Sequence, residues 1–234
     1  MTHEEEWQRW RDRYDKTHNG VLRLFHDRAI WRTILAMLEA NPAVARGSFG
    51  EYWLGSCYTT SQLIGIRRET GADNQSIGML RSLNSLASTP RMATRAWYRQ
   101  QIAQHGHPEE DPERLFNRFA APTQPFIDSV LVQRDIAVLG AVIDRVNSYT
   151  NKALAHRDDS VKGGPPPAVI TWADLDDAID TVGRIHKKYF SLCHPGETLS
   201  ILTPLISPVW MQMFSTAWMP PGFAMPGALS FEPR

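Results

Sequence analysis

The feature that most constrains this chain is a long run of apolar residues at helical spacing near its middle. Val132, Ile136, Leu139, Ile143, Val146 and Leu154 recur every three or four residues, so they line one stripe of a helix. A second row, Val130, Leu131, Val138, Ala141 and Val142, continues through Arg145, Tyr149, Lys152 and His156. A helix apolar on two sides needs two surfaces to bury against. One is its own bundle. The other is expected to be a second copy of the chain, giving a homodimer.

Helical signals extend over most of the sequence. One helix is expected from Glu4 to about Ala40, with Gly20 as a bend and Asn41-Pro42 as the stop. Ser48 with Glu51 reads as a capping box opening a helix to Glu69. In that helix Phe49, Trp53, Cys57, Thr60 and Ile64 share a face with Arg67, which is therefore expected to point towards the core. A further helix covers about Gln75 to Ala87, and Thr89-Pro90 reads as the start of one through Gln104. His105 to Pro125 is a polar, Pro-rich insertion with a short helical piece near Glu113 to Phe119. The long helix spans about Pro125 to Arg157. Thr171 with Asp174 opens the last helix, which runs to about Leu192. The expected fold is an all-α, up-and-down helical bundle over 1–196. A Pro-rich apolar extension, 197–234, packs on the bundle or on a partner.

Composition narrows the function classes. The 25 basic and 25 acidic side chains cancel, so attraction to nucleic acid must come from a local patch. Cys57 and Cys193 are too few for a disulfide framework and read as reduced thiols of a cytoplasmic protein. Thr2 to Lys16 contains no apolar signal-peptide core. Prolines 204, 208, 220 and 221 interrupt the apolar C-terminal stretch, against the ~20 apolar residues a membrane helix needs. Eight tryptophans imply large buried ring surfaces or an interface.

The chemistry-bearing residues gather where the long helix ends, in Asn151-Lys152-Ala153-Leu154-Ala155-His156-Arg157-Asp158. These residue types can hold and cleave a phosphodiester, and they can also cap a helix. Other clusters are weaker. His105-Gly106-His107 with Glu109, Glu110 and Asp111 matches no metal-ligand spacing, and Cys193-His194 with His186 is equally unspecific, so no metal is expected. No phosphate-cradling Gly-x-x-x-x-Gly-Lys loop and no Gly-x-Ser-x-Gly elbow occurs, so no nucleotide cofactor is implied. Arg91, Arg95 and Arg99, interleaved with Trp97 and Tyr98, read as a solvated helix face or as a hold on single-stranded RNA.

The 151–158 run resembles the signature of the HEPN superfamily, and within it the abortive-infection U-type branch. Gly65-Ile66-Arg67-Arg68, Asp73 and Ser76 to Leu83 are similar to that branch's second block. The resemblance covers roughly Val21 to Leu192. It implies a dimeric all-α bundle and metal-independent RNA cleavage in toxin–antitoxin or phage-defence settings, with an antitoxin as a further partner. In that chemistry the ribose 2′-hydroxyl attacks the adjacent phosphate. His156 serves as general acid/base, Asn151 orients it, and Lys152, Arg157, Arg145 and Arg67 are the candidate phosphate contacts. The family's Arg, four to six residues before the His, is replaced here by Thr150. Lys152 supplies charge without the planar fork of an Arg, and Arg145 sits about 16 Å back along the axis from His156. The alternative is a non-catalytic helical module that binds RNA or protein.

Overall fold

The computed structural model describes residues 3–40, 49–71, 77–104, 111–150 and 170–196. The chain divides into two units, 1–204 and 205–234, and every described residue lies in the first. That unit is all-α. Among the described residues the helices are α1 (His3–Asp15), α2 (His18–Ala40), α3 (Phe49–Thr70), α4 (Met79–Ser88), α5 (Arg95–Gln104), α6 (Pro112–Phe116), α7 (Ser129–Tyr149) and α8 (Trp172–Cys193). Among the described residues extended pairing is confined to one isolated antiparallel bridge, Thr94 with Phe126. No described helix is long and apolar enough to cross a membrane. The expected extension 197–234 lies outside the described residues, as do Ser48 and the 72–76 turn.

Three element boundaries differ from expectation, each for a local reason. The first helix is two, broken at Lys16-Thr17 rather than bent at Gly20. The Thr17 hydroxyl and backbone N–H both donate to the Tyr14 carbonyl, at 2.7 and 2.9 Å, tightening the chain out of the α ladder. Thr89-Pro90 does not open α5. Pro90–Met92 forms a single 3-10 turn, Ala93 is extended, and α5 starts at Arg95 once Thr94 has bridged to Phe126. Helix α7 starts at Ser129, where the Asp128 side chain accepts from the Val130 N–H at 2.9 Å. At α8 the predicted capping box is present: Thr171 and Asp174 each accept from the other's backbone N–H.

The core-facing stripe of α7 is as the periodicity requires. Val132, Leu139 and Val146 are buried, and Ile136 and Ile143 pack against the core from its edge. Helix α7 packs on α4, α3 and α8. Its second row behaves differently: Val130, Val138 and Ala141 are exposed, and Leu131 and Val142 are half-buried.

The expected orientation of α3 is reversed. Its buried residues are Gly55, Tyr58, Gln62, Leu63, Ile66, Glu69 and Thr70. Trp53, Cys57, Ile64 and Arg67 are exposed, so Arg67 lies on the outer face. Gly55, Thr60 and Gly65 blur the apolar contrast between the two faces, and rings alone do not decide which face turns inward. The winning face fits its neighbours. A β-carbon at position 55 would sit 3.3 Å from Trp172 and 3.5 Å from Trp31, so the glycine is what lets those rings lie against α3.

The tryptophan load is partly explained by a column of rings inside the bundle. Trp97, Trp7, Trp10, Tyr14 and His186 follow one another with centroid spacings of 4.7, 5.1, 5.3 and 5.4 Å. Trp10 donates its ring N–H to the Ser82 carbonyl at 2.7 Å, fastening α1 to α4. Trp31 stacks on Tyr58 at 5.2 Å, joining α2 to α3.

Arg95 organises the described part of the insertion. It is buried, donates to the Glu113 carboxylate at 2.8 Å, to Asn117 Oδ1 at 2.9 Å, and to the carbonyls of Ala121 and Gln124 at 2.8 and 3.1 Å. Its guanidinium also covers the Phe116 ring at 4.7 Å. Arg99 takes the other oxygen of Glu113, and hydrogen bonds from Arg99 and then Arg95 hold that carboxyl below the usual carboxylate range. Arg95 is therefore committed to the fold and leaves the face read from the Arg91-Arg95-Arg99 spacing, while Arg91 and Arg99 stay exposed as a solvated face requires.

Candidate functional site

The described part of the candidate site is the C-terminal end of α7 and the start of α8. Asn151, Lys152, His156 and Arg157 lie outside the described residues. Thr150, the residue that precedes them, stands where the HEPN resemblance would place an Arg. It is buried, and its hydroxyl donates to the Val146 carbonyl at 2.7 Å. The Thr150 side chain is therefore spent on the helix's own backbone inside the bundle.

Arg145, three residues after the half-buried Val142, reaches the opposite wall. Its Nη1 lies 3.6 Å from Asp174 Oδ1, and the side chain stays 59% exposed. That exposure keeps the pair weak. Asp174 is already occupied: its Oδ2 accepts from Thr171 Oγ1 at 2.7 Å and from the Thr171 N–H at 2.9 Å. Those hydrogen bonds, and then Arg145, hold its carboxyl below the ordinary Asp value.

Between α7 and α8 lies an open groove of about 580 Å³. Val142, Val146, Ile170, Leu175 and Ala178 supply its apolar surfaces; Arg145 and Arg184 face Asp174, Asp177 and Asp180. Three carboxylates against two guanidiniums give the groove no net pull on phosphate. Asp180 is further engaged by Arg28 at 2.8 Å, and Asp176 by Arg32 at 2.8 Å, which ties α8 to α2.

The sequence-predicted residues are therefore not all brought together. Arg145 lines the groove at the end of α7. Arg67 is exposed at the end of α3 and does not line it. Among the described residues no group of three or more His, Cys, Asp or Glu side chains is placed to hold a metal. The 105–110 loop lies outside them. Cys57 and Cys193 are both free thiols, one exposed and one buried.

One grouping escaped the sequence reading, and one was read only as the unspecific cluster of Cys193-His194 with His186. The first is a set of exposed rings, Tyr52, Trp53 and Trp172, at this same end of the bundle. Its signal was in the sequence: residues 52–66 carry no charged side chain, where a chain 21% charged would place about three. The other is a histidine group at the far end of α8. His18 Nδ1 and His186 Nε2 share a hydrogen bond of 3.0 Å, and His194 Nε2 donates to Asp15 at 2.8 Å while accepting from Arg11 at 3.1 Å through Nδ1. The i, i+4, i+8 spacing of His186, Phe190 and His194 announced it.

Compared with protein-family models, with curated proteins and with solved structures, the chain finds no match.

Proposed function

We propose that this chain is a HEPN-like helical protein of the abortive-infection type that acts on RNA, with His156 as the general acid/base of a metal-independent cleavage. The observation that carries the reading is the setting of α7. It packs on three other helices, keeps Val130, Val138, Ala141 and Arg145 of its outer row exposed, and ends at an open groove just before the 151–158 run in the sequence. That is the layout the resemblance asks for: a central helix with one face free for a second copy and its chemical residues at the end.

In this reading His156 takes the proton of a ribose 2′-hydroxyl as that oxygen attacks the adjacent phosphorus. The P–O5′ bond breaks, the leaving oxygen regains a proton, and a 2′,3′-cyclic phosphate remains. Asn151 orients the imidazole. Lys152 and Arg157 hold the phosphate, since Arg145 already faces Asp174. A homodimer through the outer row of α7 and an antitoxin partner belong to the same proposal.

A second reading, a non-catalytic RNA-binding or protein-interaction module, is favoured by Thr150. Threonine at that position leaves no bidentate cation six residues before His156. Incubating RNA with the wild type and with His156→Ala, each with and without chelator, separates the two. The nuclease reading expects cutting by the wild type alone, unaffected by chelator. Equal cutting by both proteins, or none by either, leaves the module.

A further inference from the structure

We propose that the joint between α1 and α2 is an acid-sensitive latch, which opens by letting His186 take up a proton and does so ahead of the unfolding of the bundle. The latch is made of rings placed to work uncharged. His186 is fully buried, and its Nε2 lies 3.0 Å from His18 Nδ1. One of these nitrogens donates and the other accepts, so the pair shares one proton. The remaining nitrogen of His186, Nδ1, is buried without a partner. A charged His186 keeps at best its bond to His18, and its Nδ1–H meets no acceptor. Burying an imidazolium on those terms is costly.

No neighbouring carboxylate bonds this ring. On α1, Asp15 and Arg11 are both turned to His194, at 2.8 and 3.1 Å. The carboxylate favours a charge on His194 and the guanidinium opposes it, so that ring gives the joint no clear bias. On α7, Asp135 accepts from Tyr189 and Lys188. On α8, burial keeps the Cys193 thiol protonated. On α3, the Glu69 carboxyl lies against Gly20, two residues past His18, and bonds Arg68. Burial holds Glu69 above the usual carboxylate range, so acid favours the closed joint through it. His186 is the group that pulls the other way.

What keeps water from His186 is the joint itself. Phe190 packs on the ring from the same helix. The other covers are Tyr14, parallel to it at 5.4 Å, and His18. Tyr14 also donates its hydroxyl to the His186 carbonyl at 3.3 Å. Tyr14 and His18 flank the Lys16-Thr17 break, where one helix has ended and the next begins. The joint therefore lifts without cutting a helix in its middle. Once it lifts, His186 accepts a proton near pH 6.5, which the closed form refuses until about pH 3. Between those values falling pH favours the open form, by about 10-fold per pH unit for one proton.

Hydrogen exchange of the full chain, followed by mass spectrometry from about pH 7.5 to about pH 5, tests this. With the intrinsic pH dependence of exchange removed, opening at residues 12–20 is expected to rise about 10-fold per pH unit below 6.5, while the core amides of α7 stay protected. His186→Asn is expected to flatten that rise. His18→Asn is expected to speed exchange at every pH, since a cover is lost, and to keep the slope, since His186 remains. Three results overturn the latch: joint and α7 amides opening in step, an unchanged slope in His186→Asn, or a slope lost in His18→Asn. Where His186→Asn does not fold, the parent and His18→Asn decide by the first and third of these.

Discussion

The two ends of α8 use similar residue types in opposite ways. At its C-terminal end His186, Tyr189, Phe190 and Cys193 are buried, and His186 Nδ1 is a buried polar atom there with no hydrogen-bond partner. Tyr189 donates to Asp135 at 2.8 Å, Lys188 reaches the same oxygen at 2.7 Å, and Tyr14 stacks on His186 at 5.4 Å. Burial pushes the Cys193 thiol and the Tyr14 and Tyr189 hydroxyls well up, so none of them ionises near neutral pH. At the N-terminal end Trp172 and Asp177 are open, and Arg145 reaches Asp174 across solvent. An aromatic and a titratable group in the same helix thus make fold at one end and surface at the other.

This contrast breaks first under truncation of rings. Tyr189→Ala is expected to cost about 3–5 kcal/mol, since it empties a fully buried ring site and strips Asp135 of a donor. The midpoint of urea unfolding measures it. A loss under 1 kcal/mol would mean that the C-terminal end of α8 is not the sealed region described.

Acid sharpens the contrast next. Burial first, and then His18 and His194, bring the pKa of His186 down to about 3. The unfolded chain takes up that proton near pH 6.5, while the folded chain resists until about pH 3. Folding therefore loses stability as pH falls between those values, by at most about 1.4 kcal/mol per pH unit. His186→Asn removes this dependence, so stability measured against pH should show a flatter acid limb. An unchanged limb would assign the loss to other groups.

The smallest effect belongs to the open end. Arg145→Ala is expected to shift stability by less than about 0.5 kcal/mol, because its pair with Asp174 is long and exposed. A shift above 1 kcal/mol would show that Arg145 is a structural residue and remove it from the candidate site.

How far this was legible in the sequence depends on the element. The α7 stripe and the Thr171–Asp174 cap were readable because one helix's spacing and four consecutive residues contain the whole cause. The break at Thr17 was not, since Gly20 drew the eye while a hydroxyl three residues earlier did the bending. Facing of α3 failed for a different reason. Its two sides are similarly apolar, and the choice is made by Trp31 and Trp172 from other helices. Arg95 looked like one member of a basic row, and only the fold reveals its acceptors on residues 113–124. Of the candidate site, Arg145 was placed correctly on the open row of α7, while the Asp174 that offsets it came from a distant segment.

Helix α1 carries a consequence for anyone handling this protein. Trp7, Trp10 and Tyr14 fill the slot between α4 and α8 like a keystone set from one edge. A variant trimmed of its first fifteen residues would expose a ring-lined trench and turn sticky, whereas an affinity tag ahead of His3 would leave the stone in place.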